Sequence, residues 1–279
     1  MNILAEKTFG TGAVPSKRDL RDYTYHPGAT PFDWSKGIDI ENKLPSRLVV
    51  KDQGSSGSCG GQAWGYYGEV LEALATGSYE PRSARWIYSH THAPNGGSDG
   101  RTNCDFVVNN GYAYEADAPS YQAGQAPTEA FMVSVPALSV DGLMRATAAR
   151  ALSYLQAQID IEHIAQAIQD NNGVIIAVWG SNNGTWRSTY PQPGDRVWCH
   201  WLYCYAAKTY KGKKYIGVKN SWGTAVGDNG TQWLSEDYFK SGCITQAWTL
   251  AWNYQPTTKE QLIRTALGIL YKMLALTKK

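Results

Sequence analysis

The order of periodic segments along the chain constrains the fold most, because helical spacing dominates the first half and strand-like runs dominate the second. Within Gly60–Ala75, apolar residues recur at i, i+3, i+4 and i+7, which predicts a helix that Gly77 ends. Shorter helices are predicted at Ala84–His90 and Cys104–Asn110. The first helix contains glycines that each cost about 1 kcal/mol relative to alanine: Gly60, Gly61, Gly65 and Gly68. We therefore expect close packing against neighbouring backbone to hold this helix.

In the second half, Asp160 is placed to cap a helix that runs through Asn171 and ends at Gly173. The stretch from Ala116 to Pro136 is rich in turn residues. Strands are predicted at Gly173–Trp179, Val197–Ala207, Lys214–Asn220 and Thr231–Ser235. Helices followed by strands predict an α+β protein with two lobes, in which a functional site is expected at the interface.

The chain divides into four expected parts. Residues 1–45 read as an extended segment that docks on the lobes, 46–135 as a mainly helical lobe, and 136–255 as a mainly β lobe. Residues 256–279 predict an amphipathic helix that begins with a capping box at Thr257 and Glu260. Its wide apolar face favours docking on the globule, self-association or contact with a membrane surface. It is too short and too interrupted by charge to span a bilayer.

Composition excludes several classes of function. The net charge of the 279 residues is +2, and basic and acidic residues are interleaved, so no nucleic-acid partner is expected. The first residues lack the features of a secretory signal, which makes the cytoplasm the default location. Five cysteines without a CxxC spacing argue against a zinc site and leave at least one thiol free. Whether Cys104 and Cys243 form a disulfide stays open.

One of these cysteines stands where the first helix begins. Cys59 ends the stretch KDQGSSGSC, and the free amides and dipole of a helix start favour a thiolate there. A cationic partner is also needed, and among five histidines only His200 has support: it lies in one strand of a predicted hairpin whose other strand ends at Asn220. The amide of Gln53 is close enough in sequence to act as an oxyanion donor.

These two regions, VKDQGSSGSC and KYIGVKNSWGTAVGDNG, closely resemble the signature regions of the papain-like cysteine peptidases, particularly bacterial and viral members with short amino-terminal extensions. The resemblance implies a helical left lobe and a β-barrel-like right lobe, with the active site in the cleft between them. It implies Gln53 as oxyanion glutamine, Cys59 as nucleophile, His200 as base and Asn220 as orienting amide. Trp222 is similar to the tryptophan that shields the His–Asn hydrogen bond.

The same resemblance implies which residues bind substrate, and it also identifies departures. NGGSDG is similar to the family's glycine stretch, which would place Gly96 and Gly97 in the cleft. Gly60 replaces the usual bulky aromatic residue after the nucleophile, and Cys199 precedes the histidine, where it would line the cleft and affect side-chain preference. A propeptide of the usual length is lacking, so we expect a chain that is active as translated or inhibited only by a short segment in the cleft.

The function predicted from these residues is a cysteine-type endopeptidase that acts on a peptide or protein through a thioester on Cys59, without a metal or other cofactor. Two alternatives remain open. The same groups could serve a transpeptidase or an amidase, or the chain could be a non-catalytic binding protein that keeps the papain-like cleft. Retention of Gln53 speaks against the last alternative, because a cleft without chemistry has no need for an oxyanion donor.

Overall fold

The first half of the chain is helical, as its periodicity predicts. The computed structural model describes residues 10–17, 19 and 22–252. It contains α1 at Cys59–Thr76, α2 at Ala84–Thr91 and α3 at Gly100–Asn109. Gly77 ends α1 with a φ of 71°, in the left-handed region that favours glycine. The helix that carries the candidate nucleophile therefore begins at Cys59 itself.

The glycines of α1 allow neighbouring groups to approach closely. A Cβ on Gly60 would lie 2.2 Å from Ser98 Oγ, and one on Gly61 would lie 2.4 Å from the carbonyl oxygen of Ala84. A Cβ on Gly68 would meet the ring of Tyr112 at 2.6 Å. Packing at these contacts offsets the low helix propensity of glycine, as expected from the sequence.

The second half forms one antiparallel sheet. Its strands are β4 at Ser153–Gln156, β5 at Val174–Gly180, β6 at Trp198–Tyr210, β7 at Lys213–Lys219, β8 at Thr231–Ser235 and β9 at Ile244–Ala251. They follow the order β4-β9-β5-β6-β7-β8, and the short strand β2 at Ile38–Asp39 pairs with β6. The α+β class is confirmed. The right lobe does not form a closed barrel, because within the described residues the two end strands of the order, β4 and β8, do not pair with each other.

Several elements differ from the predictions. The turn-rich stretch contains α4 at Glu129–Val133, and two further helices, α5 at Val140–Ala148 and α7 at Glu236–Lys240, were not predicted, nor were β4 and β9. The helix capped by Asp160, α6 at Ile161–Asn171, ends at Asn172, which takes the left-handed conformation expected of Gly173. Gly173 serves packing instead, since a Cβ there would lie 2.3 Å from the ring of Tyr203.

The amino-terminal residues lie along the molecule in extended pieces. The strand β1 at Ala13–Val14 pairs in parallel with β3 at Ser98–Asp99, and Thr24 forms a bridge with Gln156. Within the described ranges no helix has the length and hydrophobicity to cross a membrane. The predicted helix at 256–279 lies outside the described residues, and with it the proposed self-association or membrane contact.

Candidate active site

Cys59 is fully buried at the start of α1. The loop before α1 ends at Ser58, so Cys59 is the first residue of the helix, and its side chain is 0% exposed. Its Sγ lies 3.9 Å from the carbonyl oxygen of Gly57. All five cysteines are free and buried, so Cys104 and Cys243 are not joined.

The hairpin of β6 and β7 brings His200 to Asn220. Tyr203 is paired with Lys219, which puts Leu202 opposite Asn220 and leaves His200 on the same face of the sheet. His200 Nε2 donates to Asn220 Oδ1 at 3.0 Å, and this bond leaves Nδ1 without a described hydrogen-bond partner. The amide thus fixes the imidazole and leaves the other ring nitrogen available as a base.

A further amide supports this pair. Asn220 Nδ2 donates to Gln232 Oε1 at 2.7 Å, and Gln232 Nε2 donates to the carbonyl oxygen of Trp186 at 2.7 Å. These bonds fix the orientation of the Asn220 amide. Sequence reasoning missed Gln232, and no sequence signal marks it, because three of the five residues of the strand TQWLS are polar.

Trp222 covers the imidazole. Its ring centroid lies 4.6 Å from that of His200, at an interplanar angle of 32°. Trp198 lies against Trp222 at 5.3 Å, edge to face. The two indoles keep water away from the hydrogen bond between His200 and Asn220, which strengthens it by lowering the local dielectric.

Gln53 is locked to the same loop as Asn220. Its backbone N–H donates to the carbonyl oxygen of Ser221 at 2.8 Å, and its Oε1 accepts from Ser221 Oγ at 2.6 Å. Its Nε2 donates one hydrogen to the carbonyl oxygen of Ser56 at 2.7 Å. An amide nitrogen has two hydrogens, so one hydrogen of Gln53 Nε2 has no acceptor among the described residues.

An extended segment of the chain lies across this site. We call Gly10–Val14 the strap. Gly10 N donates to the carbonyl oxygen of Gly54 at 3.1 Å, and the Gly10 carbonyl accepts from Trp222 Nε1 at 2.9 Å. Gly12 N donates to the carbonyl oxygen of Cys199 at 3.2 Å, and the Gly12 carbonyl accepts from Ser98 N at 2.8 Å. The backbone of the strap is therefore hydrogen-bonded on one side to the helical half, at Gly54 and Ser98, and on the other side to the β half, at Cys199 and Trp222.

The glycines of the strap fit where other residues do not. A Cβ on Gly10 would lie 2.0 Å from the carbonyl oxygen of Ser56 and 3.0 Å from Gln53 Nε2. A Cβ on Gly12 would lie 2.2 Å from the carbonyl oxygen of Gly57 and 2.8 Å from Gly97 Cα. The strap thus lies directly on the loop that carries the candidate oxyanion donor and nucleophile.

The closed site makes both candidate reacting groups neutral. Burial raises the pKa of the Cys59 thiol to about 12, and backbone N–H groups of Trp201, Gly60 and Gly12 act in the opposite direction. Burial lowers the pKa of His200 to about 4, against the effect of its hydrogen bond with Asn220. The sequence predicts a thiolate stabilised by the helix start together with a cationic histidine, and in the closed site burial outweighs both contributions.

The residues predicted to bind substrate lie beside the strap. Gly96 and Gly97 have φ values of 83° and 75°, and the N–H of Gly97 donates to Tyr88 Oη at 2.8 Å. Gly96, Gly97 and Cys199 line a cavity of about 900 Å³. The same cavity is also lined by His92, Glu129, Val133 and Trp179. Glu129 was not among the sequence candidates, because its helix was not predicted. Among the described side chains, no group of three or more His, Cys, Asp or Glu is arranged to hold a metal.

Comparison with known proteins identifies the fold. No protein-family model and no curated protein matches the sequence. Solved structures do match: xylellain, a cysteine protease from Xylella fastidiosa, has 19% identity over 88% of this chain and 97% of its own, with a TM-score of 0.70. Digestive procathepsin L 3 of the Tenebrio molitor larval midgut has 18% identity over 87% and 76%, with a TM-score of 0.63.

A third similar structure is the bromelain protease of Ananas comosus in complex with the inhibitor E64. It has 21% identity over 78% of this chain and 99% of its own, with a TM-score of 0.60. The chain therefore has the fold of the papain-like cysteine proteases.

Proposed function

We propose that the protein is a cysteine-type endopeptidase that the strap holds in a closed state. The observation that carries this proposal is an extended peptide, the strap, held by backbone hydrogen bonds against Cys59, Gln53 and the indole over His200. A cleft that binds its own extended segment in this way can bind the extended segment of another protein. The groups that contact the peptide are those that peptide hydrolysis needs.

Each group has one role in the proposed reaction. The Cys59 thiolate attacks the peptide carbonyl carbon, and the free N–H of Gln53 and the backbone N–H of Cys59 hold the oxyanion. His200 Nδ1 takes the thiol proton and gives it to the leaving amine, while Asn220 keeps the ring in place. Water then attacks the thioester, with His200 as its base, and releases the acid and the thiol.

We infer that the strap is held in the cleft in an unreactive orientation. The Gly10 and Gly12 carbonyls accept hydrogen bonds from Trp222 Nε1 and Ser98 N, away from an oxyanion donor. The Gly12 N–H is shared between the carbonyl oxygen of Cys199 and the Cys59 sulfur, so the Thr11–Gly12 peptide presents its N–H edge to the nucleophile and its trans carbonyl oxygen points the other way. The strap therefore occupies the cleft as an unreactive peptide, and the neutral thiol beneath it is a poor nucleophile.

E64, the inhibitor bound to the similar bromelain structure, tests the proposal. We expect the full chain to be labelled slowly and at Cys59, as identified by peptide mass, and to cleave members of a mixed peptide library. Cys59→Ala should abolish both. Product masses separate the reaction classes, because hydrolysis adds water and transpeptidation adds an amine. Binding of library peptides with neither labelling nor cleavage, even after the strap is displaced, would identify a binding protein and refute the proposal.

A further inference from the structure

The cavity beside the strap contains one isolated carboxylate. Of the described residues that line it, Glu129 is the only Asp, Glu, Lys or Arg. No described cation pairs with Glu129, and the strap, whose residues are Gly, Thr, Gly, Ala and Val, carries no charge. The carboxylate of Glu129 thus faces a space that none of the described residues fills.

The carboxylate is held rigidly but retains acceptor capacity. Its Oε2 accepts from Gly57 N at 2.7 Å, and its Oε1 accepts from Tyr88 Oη at 2.5 Å. Tyr88 Oη in turn accepts from Gly97 N at 2.8 Å. A carboxylate offers about four lone-pair sites, so these two bonds leave room for a cationic donor. Glu129 is half-buried, which reduces solvent screening of its charge.

Glu129 also lies close to the candidate nucleophile. Gly57 binds Glu129 through its N–H, and the carbonyl of the same residue lies 3.9 Å from Cys59 Sγ. A single residue, Gly57, therefore contacts both the carboxylate of Glu129 and the sulfur of Cys59. A lysine or arginine side chain is long enough to reach a carboxylate at this separation from a backbone bound near Cys59.

We propose that Glu129 is a specificity-determining residue, which binds a lysine or arginine side chain of the peptide substrate next to the scissile bond. This inference rests on the proposed function and names its substrate class. Arginine matches the site best, because its planar guanidinium can donate two parallel hydrogen bonds to a carboxylate. The two bonds from Gly57 and Tyr88 orient the carboxylate toward the cavity before substrate arrives.

A purely structural role for Glu129 makes a different prediction. If the carboxylate only joins the Gly57 loop to Tyr88, its loss weakens binding of all peptides equally. If it binds a basic side chain, its loss weakens binding of basic peptides alone. Glu129→Gln separates the two roles, because the amide oxygen keeps one acceptor while the charge is removed.

The experiment compares alanine-rich hexapeptides that carry arginine or citrulline at each position in turn. Citrulline has nearly the shape of arginine without its charge. Binding is measured with the full chain carrying Cys59→Ala, which prevents turnover, and the competing strap lowers both affinities by the same factor. At one position we expect arginine to bind about tenfold more tightly, the size of one charge-assisted hydrogen bond. Raising NaCl from about 50 to about 500 mM should reduce this preference.

Glu129→Gln in the same Cys59→Ala background should abolish the preference for arginine and leave the affinity for the citrulline peptide unchanged. Glu236→Gln is the matched control, because this acid pairs with Lys240 on α7 and does not line the cavity. Equal loss for both peptides would overturn the proposal, as would an unchanged preference in Glu129→Gln.

If Glu129→Gln does not fold, the arginine and citrulline peptides are compared with the Cys59→Ala chain alone. Equal binding of the two peptides at every position would then refute the proposed subsite. Cleavage by the parent chain is measured separately. If the parent does not cleave peptides while the charge preference persists, the subsite stands and only the proposed hydrolysis fails.

Discussion

Replacing one strap residue should open the active site. In Gly12→Ala, the new Cβ would lie 2.2 Å from the carbonyl oxygen of Gly57 and 2.8 Å from Gly97 Cα. Both are backbone atoms, so neither can rotate away, and the strap must move. Movement breaks the two hydrogen bonds of Gly12, to Cys199 and from Ser98. At about 1 kcal/mol net for each bond, the closed state loses about 2 kcal/mol, roughly a 30-fold rise in the open fraction.

The assay is the rate at which E64 or iodoacetamide modifies Cys59 in the native full chain. The other four cysteines are buried, and peptide masses identify the modified residue. If labelling proceeds from the open state, its rate rises with the open fraction, so we expect Gly12→Ala to react roughly 30-fold faster than the parent. Gly124→Ala is the control: its φ of 74° is equally unfavourable for alanine, but its Cβ has no neighbour within 4 Å. Equal rates for Gly12→Ala and the parent would refute the strap as the restraint.

Three further predictions concern the catalytic groups. In a chain whose strap has been displaced, Cys59→Ala should abolish peptide turnover and His200→Ala should lower its rate almost as far. Gln53→Ala should lower the rate about 100- to 1,000-fold, and Asn220→Ala should lower it less. Full activity of the Cys59→Ala protein would contradict the mechanism. Gln232→Ala should lower the free energy of unfolding by about 1–3 kcal/mol, because it leaves the buried Asn220 amide without an acceptor; urea denaturation measures this, and an unchanged midpoint would contradict it. In Cys59→Ala, lowering the pH from about 7 to about 5 should raise the open fraction of the strap roughly tenfold or more, because His200 gains a proton when it is exposed. Hydrogen exchange of the strap amides, corrected for their intrinsic rates, measures this fraction. The same pH dependence in the parent chain would contradict the coupling between Cys59 and His200.

The contact between His200 and Asn220 could be predicted from the sequence only in part. The helix start at Cys59 follows from apolar spacing, which is local information. The contact of His200 with Asn220 depends on a β-bulge between Cys204 and Ala206, where the register shifts by one residue. Without that shift Asn220 would face the other side of the sheet from His200. The sequence predicts a hairpin but carries no clear signal for the bulge.

Other parts of the site depend on contacts between distant segments. The strap lies in the cleft through pairing of Ala13 with Ser98, which no local periodicity indicates. Glu129 reaches the cavity from a helix of five residues, too short to give a helical pattern within a turn-rich stretch. The sheet ends on one side with β4, which pairs with β9, and the sequence predicted neither of these strands.

The closed state connects the strap to the charge of the reacting pair. Under the strap the thiol of Cys59, with a pKa of about 12, and the imidazole of His200, with a pKa of about 4, are both neutral at pH 7. When the strap leaves, water returns and burial no longer opposes either charge, so we expect the imidazolium and the start of α1 to lower the pKa of the thiol below that of the imidazole. In the parent chain the thiol proton can then move to the imidazole. This transfer takes no proton from solution, so opening should vary little with pH near neutrality.

Removing the sulfur breaks that balance. In Cys59→Ala, His200 must take its proton from solution, and it does so more readily in the open state because its pKa is lowered only in the closed one. The closed state of this variant is therefore fully favoured above a pH of about 6.5 and loses stability as the pH falls toward about 4. On the proposed mechanism the strap would restrain activity by keeping water from Cys59 and His200, since neither the thiolate nor the imidazolium is stable without it.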